Sequence, residues 1–310
     1  MTINVESVGI SSACSQGVCS KGPELFSIVS LGEELHSVRS ERYGETFHPK
    51  VGPQVEARCV YFQPMQIMQR LETAQDPFCV WDIGLGSAGN ILNLIREHRH
   101  IRAHLDLHSF DMTLEPLLFA IRHAGKLPYL EGFESILEVF TRQGQVTFTH
   151  GKLSIQWHLH LGDLRDGFDG PSSKSMSPDA VMYDPYSPLK NPELWSLPAF
   201  SRLRHSLVSA ATLATYSRST SVRVALLLAG FFVGQGGAVG EKEETTVAAT
   251  QDGLIDFLLD EQWLAKVRKS TNAEPMTDKP YQRGRIKSDT WKKLVQHPQF
   301  VPYSLDAALY

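Results

Sequence analysis

Three aspartates occur where the chain could hold a nucleoside. Asp82 lies near the end of the apolar run 78–83, two residues before the first glycine of a turn. Asp111 ends a second strand-like run, and Asp163 follows the alternating segment 153–161. A carboxylate after a strand can accept hydrogen bonds from a ribose, and parallel strands bring such ends to one edge of a sheet. Each acid alone would more often cap a helix or face solvent, but together they predict a nucleoside-binding edge.

The glycine turn at 82–90 reads DIGLGSAGN. Glycines let the backbone turn tightly and approach a ligand closely, and the following helix start offers N–H donors. Gly84, Gly86 and Asn90 are therefore candidate cofactor-binding residues. The turn also fits the G-x-G-x-x-G pattern of dinucleotide enzymes. However, Asp82 would repel a pyrophosphate and suits a cofactor with an amino group and a sulfonium, which favours S-adenosyl-L-methionine.

The segment 183–195, YDPYSPLKNPELW, follows a third buried strand. Asp184 and Tyr186 would place a carboxylate and an aromatic ring at the lip of the pocket. Such a pair could orient an amino nitrogen and stack against a base, so both are candidate catalytic residues. A rigid proline turn with Trp195 merely packed beneath it explains the bare pattern about equally well.

These residues need a scaffold of alternating strands and helices. The pattern predicts a doubly wound α/β fold with a mainly parallel sheet and helices on both faces. Strands are expected at 78–83, 104–110, 145–150, 153–161, 180–183, 212–216, 231–233 and 245–250. Helices are expected at 87–99, 113–124, 131–142, 192–208 and 222–229.

The 310 residues, 42% of them hydrophobic, are enough for one large domain with extensions. A net charge of −4 neither favours nor excludes nucleic acid. The longest apolar run, 224–233, is too short to span a bilayer, and no secretory signal begins the chain, so a cytoplasmic location is expected. The predicted organisation is a loose arm at 1–24, an extension at 25–75, a cofactor-binding domain at 76–250 and a basic helical or coil extension at 251–310.

The motifs resemble one family, the methyltransferase part of the bifunctional tRNA 5-methylaminomethyl-2-thiouridine biosynthesis proteins. The family's G-[FL]-G-[TS]-G-x-N turn is matched at 84–90, and its D-x-[FY]-[AS]-P-x-K-N-P-x-[LM]-W signature is matched from Asp184 to Trp195. The resemblance covers roughly 45–250. Ala88 and Glu243 depart from the family pattern, where a glycine and an arginine are usual.

The resemblance implies a class I, Rossmann-like methyltransferase without the family's oxidase module. Its implied substrate is the primary amine of 5-aminomethyluridine at the wobble position of a tRNA anticodon loop. Asp184 would hydrogen-bond that amine and stabilise the ammonium that forms, and Tyr186 would stack against the flipped uracil. Apart from the resemblance, the cation-rich segment 266–293 could follow the RNA phosphates, although a solvated helical or coil tail is the commoner meaning of such a run.

Two other readings of the sequence stay open. The acceptor could be a small amine or a protein, or the fold could bind the cofactor without catalysis, which the departures at Ala88 and Glu243 would allow. Histidines recur on two predicted strands, at positions 104, 108, 158 and 160. No cysteine or carboxylate spacing accompanies them, so packed or surface histidines are expected and no metal site is predicted.

Overall fold

The computed structural model describes residues 3–4, 25–32, 34–167, 177–207, 210–241, 243–277 and 280–301. The predicted arm at 1–24 lies outside the described residues except for positions 3–4. Most of the predicted loop at 166–179 lies outside them as well. No helix in the described ranges is long and apolar enough to cross a membrane.

Twelve strands make up two sheets of the described chain. They are β1 (Ile3–Asn4), β2 (Phe26–Ser30), β3 (His36–Ser40), β4 (Glu45–Thr46), β5 (Phe78–Ile83), β6 (Ala103–Asp111), β7 (Gln145–His150), β8 (Leu153–Leu161), β9 (Ala180–Tyr183), β10 (Thr212–Thr215), β11 (Phe232–Gly236) and β12 (Thr245–Ala249). The large sheet has the order β1-β7-β8-β6-β5-β9-β10-β12-β11, and β2, β3 and β4 form the small one.

The large sheet has the strand order that defines the fold class. Strands β8, β6, β5, β9 and β10 are parallel to one another, whereas β7 is antiparallel to β8 and β12 is antiparallel to β10 and β11. When the strands are renumbered from β5 as strand 1 and the edge strands β1 and β7 are left out, the order is 3-2-1-4-5-7-6. Strand 7, which is β12, is inserted antiparallel between strands 5 and 6. This is the class I, Rossmann-like arrangement, and the predicted fold class is confirmed.

The helices lie on both faces of this sheet. They are α1 (Gly52–Ala57), α2 (Ile67–Thr73), α3 (Gly89–His98), α4 (Glu115–Arg122), α5 (Glu134–Gln143), α6 (Leu164–Gly167), α7 (Leu197–Ser206), α8 (Thr220–Leu228), α9 (Glu261–Lys269) and α10 (Ser288–Val295). Helices α1 to α5 share one hydrophobic core, and α7 to α10 share the other. Because β5 faces both cores, all six of its residues are buried, as a continuous apolar run predicts.

One predicted helix, 192–208, is divided. Residues Pro192–Trp195 form a 3₁₀ turn, and α7 begins only at Leu197. The break falls at Ser196, whose backbone is extended and whose hydroxyl accepts a hydrogen bond from the Ala199 N–H at 3.3 Å. Ser196 is thus the N-cap of α7, a role that its type allows but that the helical periodicity hid.

The small sheet joins the large one beside α4. Phe26 of β2 packs against Phe119, their ring centroids 5.7 Å apart. Strand β4, which pairs with β3, carries Glu45, and this residue accepts hydrogen bonds from the backbone N–H and hydroxyl of Ser187. The segment predicted as an N-terminal extension therefore reaches the loop that follows β9.

Candidate active site

A cavity of about 1030 Å³ opens at the carboxyl ends of the parallel strands. This is the edge at which doubly wound sheets bind their ligands, and the volume lies at the upper end of the range for small-molecule sites. Seven of the eight predicted site residues line it: Gly84, Gly86, Asn90, Asp111, Asp163, Asp184 and Tyr186. The structure thus brings together residues that lie 102 positions apart in the sequence.

The glycine turn is pressed against the loop after β9. Gly84 has φ +91°, and a Cβ there would lie 2.8 Å from the carbonyl carbon of Asp184. Gly86 has φ +53° and lies under the ring of Phe47. Ala88 also has a positive φ, of 64°, although it carries a side chain. Glycine adopts such angles without strain, so Ala88 holds this conformation at a local cost.

Asp111 fixes the turn from β6. Its Oδ2 accepts a hydrogen bond from the N–H of Gly86 at 2.9 Å, and its Oδ1 accepts one from the N–H of Thr113 at 3.3 Å. The carboxylate lines the cavity beside these contacts. It is therefore positioned to accept hydrogen bonds from a ribose, the role predicted for an acid at the end of the second strand.

Asp163 follows β8 and is paired with Arg165. The guanidinium donates to both carboxylate oxygens, at 2.9 and 2.5 Å. This hydrogen bonding lowers the pKa of Asp163 below its usual range. Asp163 therefore lines the cavity as an ionised carboxylate whose position is fixed by Arg165.

Asp82 is the one predicted site residue that does not line the cavity. Its side chain is 1% exposed and lies beneath the turn, where Oδ2 accepts a hydrogen bond from Ser109 at 2.9 Å. The indole of Trp157 donates in turn to Ser109. Oδ1 of Asp82 has no hydrogen-bond partner among the described residues. Burial raises the pKa of Asp82 to about 7, and the nearby charges of Asp184 and Asp111 act in the same direction.

This raised pKa gives a testable pH dependence. Between pH 4 and 7 the folded protein keeps a proton that the unfolded chain loses, so the free energy of unfolding falls as pH rises, by up to about 4 kcal/mol. Asp82→Asn keeps an acceptor for Ser109 and removes the titration. We expect the variant to unfold at higher urea than the wild type at pH 8 and at similar urea near pH 4. If the variant were less stable than the wild type at pH 8, the ionised Asp82 carboxylate would be stabilised in the folded protein, and the raised pKa would be contradicted.

Asp184 and Asn90 face each other across the cavity floor. The Asn90 amide donates to Oδ2 of Asp184 at 2.7 Å. The buried Oδ1 of Asn90 has no partner in the described part of the chain. An unpaired buried acceptor at a ligand cavity is the expected place for a ligand donor. The amino group of S-adenosyl-L-methionine can supply that donor, so the residues present fit the cofactor.

The outer part of the cavity is aromatic. The rings of Tyr43 and Tyr186 are stacked, with centroids 4.0 Å apart, and Phe47 meets Tyr186 edge-on at 6.0 Å. The indole N–H of Trp195 donates to the carbonyl of Tyr186 at 2.8 Å. Trp195 is buried and packs beneath this loop. The segment 183–195 is therefore both a packed proline turn and a lining of the cavity. We call Tyr43, Phe47 and Tyr186 the aromatic lip.

Sequence reasoning missed the cavity residues that come from the N-terminal extension. Glu45, His48 and Glu56 line the cavity, and His48 and Glu56 are buried. His48 packs on Gly89, where a Cβ would meet its ring, and burial lowers its pKa to about 4. No spacing links these positions to the glycine turn. The family resemblance, which begins near residue 45, was the available signal.

Comparison with known proteins agrees with this geometry. Residues 131–251 match a family described as S-adenosyl-L-methionine-dependent methyltransferase. The chain is 24% identical over 226 residues to the tRNA 5-methylaminomethyl-2-thiouridine biosynthesis bifunctional protein MnmC of Leptospira interrogans, covering 70% of this chain and 34% of the relative. It is 33% identical over 156 residues to the protein of the same name from Ralstonia nicotianae, covering 50% and 21%.

A solved structure gives the same fold over most of the chain. The crystal structure of MNMC2 from Aquifex aeolicus aligns with a TM-score of 0.65 and 23% identity, covering 92% of this chain and 86% of that one. The chain spans about a third of the length of the Leptospira relative.

The fold, the cavity and the family match define a class I methyltransferase that depends on S-adenosyl-L-methionine. The chain is therefore an enzyme of this class. Within the class, the resemblance to the methyltransferase part of the MnmC proteins is confirmed.

Proposed function

We propose that this enzyme methylates the amino nitrogen of 5-aminomethyluridine at the wobble position of tRNA. The observation that carries the proposal is the placement of Asp184, which lies between the glycine turn and the aromatic lip and is held by Asn90. A group that orients an amine belongs between the cofactor turn and a surface for a base. The tRNA modification named for the MnmC relatives supports the choice of substrate.

The charges in the cavity suit a cationic acceptor. Against the two cations Arg42 and Lys190, its lining carries seven carboxylates: Glu45, Glu56, Asp111, Glu115, Asp163, Asp184 and Glu193. An aminomethyl group is an ammonium near neutral pH, and an acid-rich cavity of low dielectric attracts it. The same field favours a sulfonium over a neutral or anionic ligand.

The residues of the chain mainly align the substrate and stabilise the charge that develops during methyl transfer. Bound S-adenosyl-L-methionine supplies a methyl group on a positively charged sulfur. Asp184 accepts a hydrogen bond from the substrate amine, and the Asn90 contact fixes the direction of its carboxylate. As positive charge develops on the nitrogen, the carboxylate stabilises it without having to reorganise. Only the neutral amine has a lone pair for the attack, so the bound ammonium first loses a proton, and Glu56, which is buried and lines the same cavity, is the second carboxylate proposed to accept it.

The RNA would approach over the aromatic lip. Single-stranded loop bases are commonly read by stacking on aromatic rings. Arg42 and Lys190 are exposed at the cavity and can meet the flanking phosphates. In the C-terminal segment, Arg283, Arg285 and Lys287 are exposed as well, so this segment is the proposed wider phosphate contact. A tRNA substrate accords with the expected cytoplasmic location.

Removal of the Tyr186 ring tests the stacking role. Tyr186→Ala is expected to raise the KM for tRNA by roughly 5- to 100-fold, since base stacking contributes about 1–3 kcal/mol. The cofactor Kd should stay within a few-fold, because no residue of the glycine turn is changed. Tyr186→Phe keeps the ring and should stay near the wild type. An unchanged KM for the alanine variant, measured by initial rates over a tRNA series, would remove Tyr186 from substrate binding.

The proposed function is tested by methyl incorporation into bulk tRNA. The tRNA comes from cells that cannot complete this modification, and its nucleosides are analysed by mass after the reaction. We expect a new methylaminomethyl nucleoside that depends on enzyme and cofactor. Small amines and total protein serve as competing acceptors. Methyl transfer to either of these, with none to tRNA, would favour the alternative acceptor and reject the proposal.

A further inference from the structure

A second cluster of reactive side chains lies on the large sheet away from the cavity. Cys79 on β5 pairs in register with Asp106 on β6, and His108 on β6 pairs with His158 on β8. Side chains two residues apart on a strand share a face. These four therefore lie on one face of three adjacent strands. None of them lines the cavity, and Cys79 is four residues, or about 13 Å, before the end of β5.

The donor atoms converge. One ligand atom each from Cys79, Asp106 and His108 lie within 4.8 Å of one another. Oδ1 of Asp106 is 3.2 Å from Nε2 of His108 and 3.6 Å from Nε2 of His158. Ligands around a tetrahedral zinc ion with bonds of about 2.0–2.3 Å are separated by about 3.3–3.7 Å. The distances from Asp106 to the two histidines are thus close to those between zinc ligands, and the Cys79 sulfur lies within 4.8 Å of the Asp106 and His108 ligand atoms.

The contact between Asp106 and His108 is close but poorly aligned. Nε2 of His108 and Oδ1 of Asp106 are buried and lie at ion-pair distance, 3.2 Å, yet their geometry is not that of a well-formed hydrogen bond. His108 itself is 3% exposed. An ion bound beside two such buried atoms would satisfy both of them better than this contact does.

His108 is also oriented as metal-bound histidines are. Its Nδ1 lies 2.9 Å from Nε2 of His160. In the tautomer with the proton on Nδ1, His108 donates to His160 and turns the lone pair of Nε2 toward Asp106 and Cys79. A second partner that fixes the ring in this way is typical of histidine ligands. The His158 ring is nearly parallel to that of His108, at 15°, and points its Nε2 at the same carboxylate.

We propose that Cys79, Asp106 and His108 bind one Zn²⁺ ion, and that His158 completes the site by a movement of its ring toward this group, since its Nε2 now contacts only the Asp106 carboxylate. A thiolate, two imidazoles and a carboxylate are a donor set that zinc accepts in tetrahedral geometry. With His158 bound, four protein ligands would close the coordination sphere, as in a structural site. It clamps β5, β6 and β8, the strands that end at the glycine turn, Asp111 and Asp163. Spacing along the sequence did not reveal Cys79 and Asp106 as ligands, because only the register of the sheet brings them close to His108.

The test uses the full chain without a histidine tag, stripped with a chelator and titrated with Zn²⁺ and with Co²⁺. We expect one ion per chain, a rise in the unfolding temperature, and a Co²⁺ spectrum with a thiolate charge-transfer band and tetrahedral d–d bands. Cys79→Ser and His108→Gln should each weaken Zn²⁺ affinity more than the roughly 100-fold that loss of an outer partner can cost.

The control keeps Cys79 as its single cysteine. A triple Cys→Ser variant at positions 14, 19 and 59 should bind both ions as the wild type does. X-ray absorption of the zinc-loaded wild type, which needs no variant to fold, should show one sulfur and three nitrogen or oxygen ligands. Absence of stoichiometric binding, a Co²⁺ spectrum without the thiolate band, or a zinc shell without sulfur would each overturn the proposal.

Discussion

Replacing Asp184 by asparagine is expected to lower kcat for methyl transfer by about 10²–10⁴-fold, the range for loss of a positioned charged group at a reacting atom. The neutral amide can still meet Asn90, which donates to Oδ2 at 2.7 Å in the wild type. The local fold should therefore persist, while the developing ammonium loses its counter-charge. The measurement is single-turnover methyl transfer with saturating tRNA and cofactor.

The matched control is Asp111→Asn. Asp111 lines the same cavity but is bonded to the turn through the N–H of Gly86, so we expect its loss to raise the cofactor Kd more than it lowers kcat. Asp184→Asn should show the opposite pattern, with cofactor affinity within a few-fold of the wild type by calorimetry. Full activity of the Asp184 variant, or the same loss of cofactor binding in both, contradicts the roles assigned to them.

Gly84→Ala is expected to abolish measurable cofactor binding, with a loss of more than about 100-fold in affinity. The new Cβ would lie 2.8 Å from the carbonyl carbon of Asp184 and close to its oxygen. Both are backbone atoms, so the turn and the loop after β9 must separate. The positive φ adds about 1–3 kcal/mol of strain.

Gly230→Ala isolates the contribution of the steric contact. Its φ of +92° matches that of Gly84, +91°, but a Cβ there meets no atom within 4 Å. Both variants should lose stability through backbone strain, and Gly84→Ala should lose more. Calorimetry with S-adenosylhomocysteine should find binding in the Gly230 variant alone. Equal affinities in the two variants would mean that the turn does not hold the cofactor.

The strands of the large sheet could be predicted closely from the sequence. The bounds of β5, β7, β8 and β9 coincide with the apolar or alternating runs that indicated them. Helix starts were less predictable, because they depend on single backbone angles. The first helix was expected from residue 87, yet Ala88 has φ 64°, and α3 begins at Gly89.

Contacts between distant segments explain what the sequence did not reveal. Asp82 was expected at the cofactor, but its side chain points beneath the turn and bonds Ser109. The face of the sheet on which a side chain lies depends on how the strands pair. The sequence alone therefore does not reveal which way Asp82 points. Glu45 and Glu56 reach the cavity because the small sheet contacts the loop after β9 and because α1 packs on α3.

The central claim is that an amine on the wobble uridine receives the methyl group beside Asp184. It is tested most directly with two anticodon stem-loops that differ at that nucleotide alone, one carrying 5-aminomethyluridine and the other uridine. We predict that the wild-type enzyme adds the mass of one methylene to the amine-bearing nucleoside and leaves the uridine stem-loop unchanged. Methylation of both stem-loops, or of neither while the enzyme binds its cofactor, would contradict the account.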